Sequence, residues 1–243
     1  MALLHINYLS AALQKQSGMY VILPETEPPF RVVYQLHGIT DDYTIWLRRT
    51  GIERVAERYK LMIVMPDGGR SFYCDMQSGT GNYEQHILET VRYIDRTFHT
   101  DARPQSRGIG GLSMGGYGAL KLGLKYPAVF GSVAAHSGVL DIVSTYRDAF
   151  WPELRAIFGD TVNLEHDLFS LVTRPGKKPA LYIDCGTEDL LLPQNRRFHE
   201  LLVKLRIRHS YGEFAGAHTW DYWDGRLDAA LRFHLKHFGL FEG

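Results

Sequence analysis

The chain has 243 residues, 45% of them hydrophobic, and its 27 lysines and arginines are matched by 27 aspartates and glutamates. That length suits one large α/β domain with a full core, and the charge balance removes the global field that would draw the chain to nucleic acid or an anionic membrane. Cys74 and Cys185 stand far apart with no C-x-x-C spacing, which excludes a zinc knot and a disulfide framework.

The N-terminal stretch lacks a basic region followed by an apolar core, and no run approaches eighteen apolar residues; a cytoplasmic protein with reduced thiols is expected. Residues 3–9 and 18–23 read as two strands joined by a polar loop, an antiparallel pair closed by Pro24 and the Pro28-Pro29 step. RVVYQL (31–36) ends at His37-Gly38, and LMIVM (61–65) ends at Pro66-Asp67-Gly68-Gly69. Apolar runs without polar alternation predict parallel strands buried on both faces. Helical spacing is clear over 51–60 (Ile52, Val55, Ala56, Tyr59) and over 83–98 (Ile87, Leu88, Val91, Ile94, Phe98).

A strand over about 106–112 runs into Gly111-Leu112-Ser113-Met114-Gly115 and then a helix-forming stretch (Ala119, Leu120, Leu122, Leu124) that Pro127 ends. Another strand is read over 129–136. Residues 139–178 then break the rhythm with Tyr146, Phe150, Trp151, Phe158 and Phe169, and are expected to form an insertion, a cap over the strand ends. The rhythm resumes with a strand at 180–186, a helix from 193 to 205, a strand near 207–214 and a helix from about 219 to 238. The sum is α/β: about eight strands, mostly parallel, with helices on both faces.

Ligands of such sheets bind beyond the carboxyl ends of the strands. His37, Asp67, Ser113, His136, the 184–189 stretch and the 216–218 stretch all fall there. G-x-S-x-G between a buried strand and a helix is the mark of a nucleophile elbow, whose strained turn leaves no room for side chains at the flanking glycines. A serine needs a base, and the base needs an acid, in the chain order Ser, Asp/Glu, His. His218, on the small-residue loop after the last strand, is the candidate base, with His136 its nearest rival. Asp189 is the candidate acid, with Glu188 its competitor and Asp184 inside the strand.

An oxyanion hole needs two backbone N–H groups. They are assigned to Met114, after the nucleophile, and Ile39, in the loop after the third strand; His37 is expected to hold that loop. Trp220, Trp223, Trp46 and Tyr73 read equally as core or substrate contact. Ser137 lacks a glycine frame and is not expected to be a second nucleophile. No histidine and carboxylate spacing argues for a metal, and no cofactor is expected.

LHGITDDYTIWLRRT (36–50), IVMPDGG (63–69), GLSMGGYGALKLGLKYPAVF (111–130), CGTEDLL (185–191) and GAHTWDYW (216–223) together resemble the esterase D family of α/β hydrolases. This group includes tributyrin-type esterases, S-formylglutathione hydrolases, carbohydrate esterases of family 1 and mycolyltransferases. The resemblance implies an α/β-hydrolase fold, the triad Ser113, Asp189 and His218, and oxyanion positions at Ile39 and Met114; it also favours Asp189 over Glu188. The function expected is a serine carboxylesterase acting on short acyl esters through an acyl-enzyme, with a small-molecule ester as its partner. Alternatives are an S-formylglutathione hydrolase or thioesterase, a carbohydrate acetyl or feruloyl esterase, an acyltransferase, or a noncatalytic binding protein on the same fold. A homo-oligomer is left open.

Overall fold

Five of the foreseen runs become β3 (Val32–Leu36), β4 (Met62–Pro66), β5 (Arg107–Leu112), β6 (Ser132–His136) and β7 (Ala180–Gly186). Every residue of β3 to β6 is buried, as continuous apolar runs require in a sheet covered on both faces. The computed structural model describes residues 1–79, 81–148 and 151–240; Phe150 of the inserted aromatics lies outside them. β1 (Ala2–Ser10), β2 (Lys15–Leu23) and β8 (His209–Phe214) complete an eight-stranded sheet of order β1-β2-β4-β3-β5-β6-β7-β8. The β1–β2 hairpin is antiparallel as expected; β2 is also antiparallel to β4, while the other pairs are parallel. This is the α/β-hydrolase fold.

Side-chain alternation divides the core into two layers. Val32, Tyr34 and Leu36 of β3 and Met62 and Val64 of β4 face one layer, while Val33, Ile63 and Met65 face the other. On the first layer lie α3 (Tyr83–Phe98), α4 (Met114–Lys125) and α8 (Leu192–Lys204), with Ile87, Val91, Leu120, Leu122 and Phe198 buried at their contacts. On the second lie α1 (Ile45–Arg49), α2 (Ile52–Tyr59) and α9 (Trp220–His237), joined by Trp46, Ile52, Ala56, Trp223, Leu227 and Leu231. The short α1 was not foreseen: five residues are too few for a helical period to stand out.

The described residues of the 139–178 segment include three short helices, α5 (Ile142–Arg147), α6 (Glu153–Phe158) and α7 (Leu168–Thr173). Asp141 and Asp167 cap α5 and α7 by accepting main-chain N–H groups of their first turns. The segment is tied to the loop after β4, where Gln77 and Ser78 N–H donate to Ile157 and Ala156 carbonyls and Arg70 pairs with Glu153 at 2.6 Å. Among the described residues no helix is long and apolar enough to cross a membrane.

Candidate active site

The elbow places Ser113 between β5 and α4 with φ 54° and ψ −117°, a left-handed backbone that a serine adopts only under constraint. The constraint is visible in the main chain. Ser113 N–H donates to the His136 carbonyl at 2.9 Å, and the Ser113 carbonyl accepts from Val139 N–H at 3.2 Å. A Cβ added at Gly115 would lie 2.5 Å from the Leu36 carbonyl oxygen and 2.7 Å from that of His37, and Gly111 is equally enclosed by backbone. The glycine frame is thus a steric requirement of packing α4 against β3.

Asp189 leaves β7 on a turn in which its Oδ1 accepts Leu191 N–H at 2.8 Å, while Oδ2 accepts His218 Nδ1–H at 2.8 Å. Burial pushes the Asp189 carboxyl up, but the hydrogen bond and charge of His218, the Leu191 N–H and the Ser137 hydroxyl outweigh it and hold the net value below the ordinary aspartate range. A carboxylate only accepts, so His218 Nδ1 is the donor in this bond, and in the neutral tautomer that this favours Nε2 keeps its lone pair. Glu188, the competing acid, instead accepts the Gly216 N–H and braces the loop that carries His218.

The loops that carry Asp189 and His218 abut. Thr187 N–H donates to the Phe214 carbonyl at 2.8 Å and Glu188 N–H to that of Gly216 at 3.0 Å. A Cβ on Gly186 would sit 2.1 Å from the Gly216 carbonyl oxygen, so only glycine admits this approach. Above His218, Trp223 sets its ring edge-to-face at 89° with centroids 4.9 Å apart. Trp223 is buried in the second core layer, and Trp220 and Trp46 continue the same edge-to-face chain. Trp46 and Tyr73, both 0% exposed, are core; Trp46 Nε1 donates to Leu36 and Tyr73 Oη to His37 carbonyls.

Ser113, Met114, Ile39 and His218 line one cavity of about 290 Å³. Its wall is apolar over Phe72, Val139, Trp151, Leu190 and Leu191 and polar at Thr145, Asp148 and Gln194. Of the seven histidines after Ser113, His218 is the one that reaches this space. His136 is sealed, 0% exposed, against Asp184; His199 pairs with His209, and His234 with Ser132. Roomier grooves beside α3 and beside β8 contain none of the expected site residues.

His37 does what its loop needs. Its Nδ1–H donates to the Gly38 carbonyl at 2.8 Å and its Nε2 accepts Gly68 N–H at 2.8 Å, which ties the Ile39 loop to the turn after β4. Met114 is fixed from the other side, its Sδ accepting Phe72 N–H at 3.3 Å. Phe72 and Tyr73 both hold positive φ, 50° and 54°, in that turn. Phe72 and Gln194 escaped the sequence reading, since neither lies in a recognisable spacing, and Ser137, read there only as no second nucleophile, turns its hydroxyl to Asp189.

The pattern of the family described as Putative esterase matches residues 10–234. An acetyl esterase of Caldicellulosiruptor saccharolyticus is 32% identical over 97% of this chain and 99% of its own length. Among solved structures, the fluorophosphonate-binding serine hydrolase F (FphF) of Staphylococcus aureus, with substrate bound, superposes with a TM-score of 0.90 at 30% identity, covering 96% of this chain and 98% of its own. An S-formylglutathione hydrolase (FrmB) of the same organism superposes with a TM-score of 0.88, also at 30% identity and with the same coverage.

Proposed function

The chain belongs to this esterase family and is a serine hydrolase, and from that premise we propose that it is a carboxylesterase for short acyl esters. Ser113 Oγ attacks the ester carbonyl while His218 Nε2 takes its proton, and Asp189 holds the imidazole tautomer. The N–H groups of Ile39 and Met114 receive the charge on the carbonyl oxygen, the alcohol leaves with the proton from His218, and water activated by His218 releases the acid. One observation carries the reading: a glycine-framed serine and a carboxylate-bound histidine open onto the same cavity.

The short acyl preference is supported by volume. At about 290 Å³ the cavity lies near the lower end of the range for ligand pockets, and its apolar wall suits a few methylenes. The 139–178 segment is the proposed cap, since Val139, Thr145, Asp148 and Trp151 contribute to that wall. Two buried free cysteines accord with the cytoplasmic location that belongs to this reading.

Turnover of p-nitrophenyl esters of graded length tests the substrate class: activity is expected to drop sharply beyond about four carbons. Flat activity out to long chains would sink it. A thioesterase reading has support from the likeness to FrmB. A tenfold or greater preference for S-formylglutathione over simple esters would decide for it.

A further inference from the structure

The reaction leaves a second histidine–carboxylate pair without a task. His136 Nδ1–H donates to Asp184 Oδ1 at 2.9 Å, and neither side chain is exposed. Asp184 accepts three more donors: Tyr182 Oη at 2.8 Å, Tyr222 Oη at 3.2 Å and Arg226 Nε at 3.3 Å. Arg226 also donates to Tyr182 Oη at 2.8 Å and lays its guanidinium 3.5 Å from the centre of the Phe214 ring. Burial pushes the Asp184 carboxyl up, but the charge and hydrogen bond of His136, with Tyr182 and Arg226, bring the net value down; it stays a carboxylate.

The elements these donors sit on give the network its meaning. The main chain of His136, at the end of β6, accepts the Ser113 N–H. Asp184 lies on β7, which carries the Asp189 loop, and its own carbonyl accepts the Ser137 N–H at 2.8 Å. Tyr222 and Arg226 stand on α9 just after His218. The Tyr222 ring underlies the histidine loop, because a Cβ on Gly216 would meet it at 2.7 Å. Phe214 closes β8 where that loop begins.

We propose that Asp184, acting through His136, Tyr222 and Arg226, is a positioning residue that sets Ser113, Asp189 and His218 relative to one another. The proposal rests on the esterase reading of the site. A buried ionic network can instead serve packing alone, and then its loss lowers the amount of folded protein without changing turnover at each intact site.

Tyr222→Phe removes one hydroxyl and keeps the ring; Asp184→Asn keeps the shape and removes the charge. For each, competent sites are counted by fluorophosphonate labelling, kcat and KM for p-nitrophenyl acetate are expressed per labelled site, and the melting temperature is recorded. Tyr222→Phe is expected to lower kcat per site about three- to tenfold and Asp184→Asn about 10- to 100-fold, with KM within about twofold, because small misplacements act on the reacting geometry. The labelling rate should fall in parallel, and the double variant should lose less than the product of the single losses. Unchanged kcat per labelled site in Tyr222→Phe overturns the proposal whatever the melting temperature does, and decides alone if Asp184→Asn does not fold. Full activity in Ser113→Ala would instead overturn the esterase reading, an outcome distinct from either.

Discussion

Two of the histidine–aspartate pairs among the described residues are built to nearly the same measure. His218 reaches Asp189 at 2.8 Å and His136 reaches Asp184 at 2.9 Å, each through Nδ1. Both carboxylates are fully buried, and the difference lies in the histidines: the His218 side chain is 25% exposed, that of His136 0%. A carboxylate bond therefore fixes a tautomer without making a base. A base also needs its other nitrogen to open on a space shared with the nucleophile, whereas Nε2 of His136 is buried with no partner.

The largest effect should come from exchanging histidines. His218→Ala is expected to lower kcat for p-nitrophenyl acetate by about 10⁶, as for removal of a triad base. His136→Asn, whose amide can replace the Nδ1 donor, should cost no more than about 100-fold in the same assay. Equal losses would erase the distinction between the pairs. Next comes the acid: Asp189→Asn should lower kcat by about 10⁴ through the wrong histidine tautomer, while Glu188→Gln stays within about tenfold. Parity between them in steady-state kinetics would put the acid at the wrong residue.

Gly115→Ala comes third. Its methyl would press on the Leu36 and His37 carbonyls and move Met114 N–H relative to Ile39 N–H, for an expected loss of about 10²–10³ in kcat. Rates near the parent's would mean that these two N–H groups do not receive the charge. The smallest effect concerns buried histidines that have no carboxylate hydrogen bond. Burial lowers His86 to about 4 and His234 to about 3. Their unfolded forms titrate near 6.5, so unfolding takes up protons between those values and stability falls as pH drops below 6.5. A melting temperature lower by on the order of 5–10 °C at pH 5 than at pH 7 is expected; a flat profile would show that these rings are not buried neutral.

Much of this was legible in the chain because packing on both faces leaves a plain record. The strand at 180–186 and the helix at 83–98 appear with the expected bounds, and the helix expected at 193–205 lies one residue earlier. The strand expected over 129–136 begins only at Ser132, since Val129 and Phe130 close a turn onto the Tyr126 carbonyl. For the site, the glycine frame singled out Ser113, chain order pointed to His218 and to Asp189 with Glu188 as competitor, and the resemblance favoured Asp189; the structure sets Asp189 on His218 and Glu188 on the loop backbone. What stayed hidden is contact between distant segments. Nothing in the string marks His136 and Asp184 as partners 48 residues apart, or Phe72 as part of the cavity wall.

The close meeting of Gly186 and Gly216 also bears on redesign. Backbone presses on backbone there, so the loop carrying Asp189 and the loop carrying His218 share one seam. Neither can be lengthened, shuffled or grafted from a relative without its counterpart. An engineer seeking new substrates has freer ground in the 139–178 segment, whose residues reach the cavity from outside that seam. Recombination libraries built on this scaffold should inherit the two loops as a single cassette.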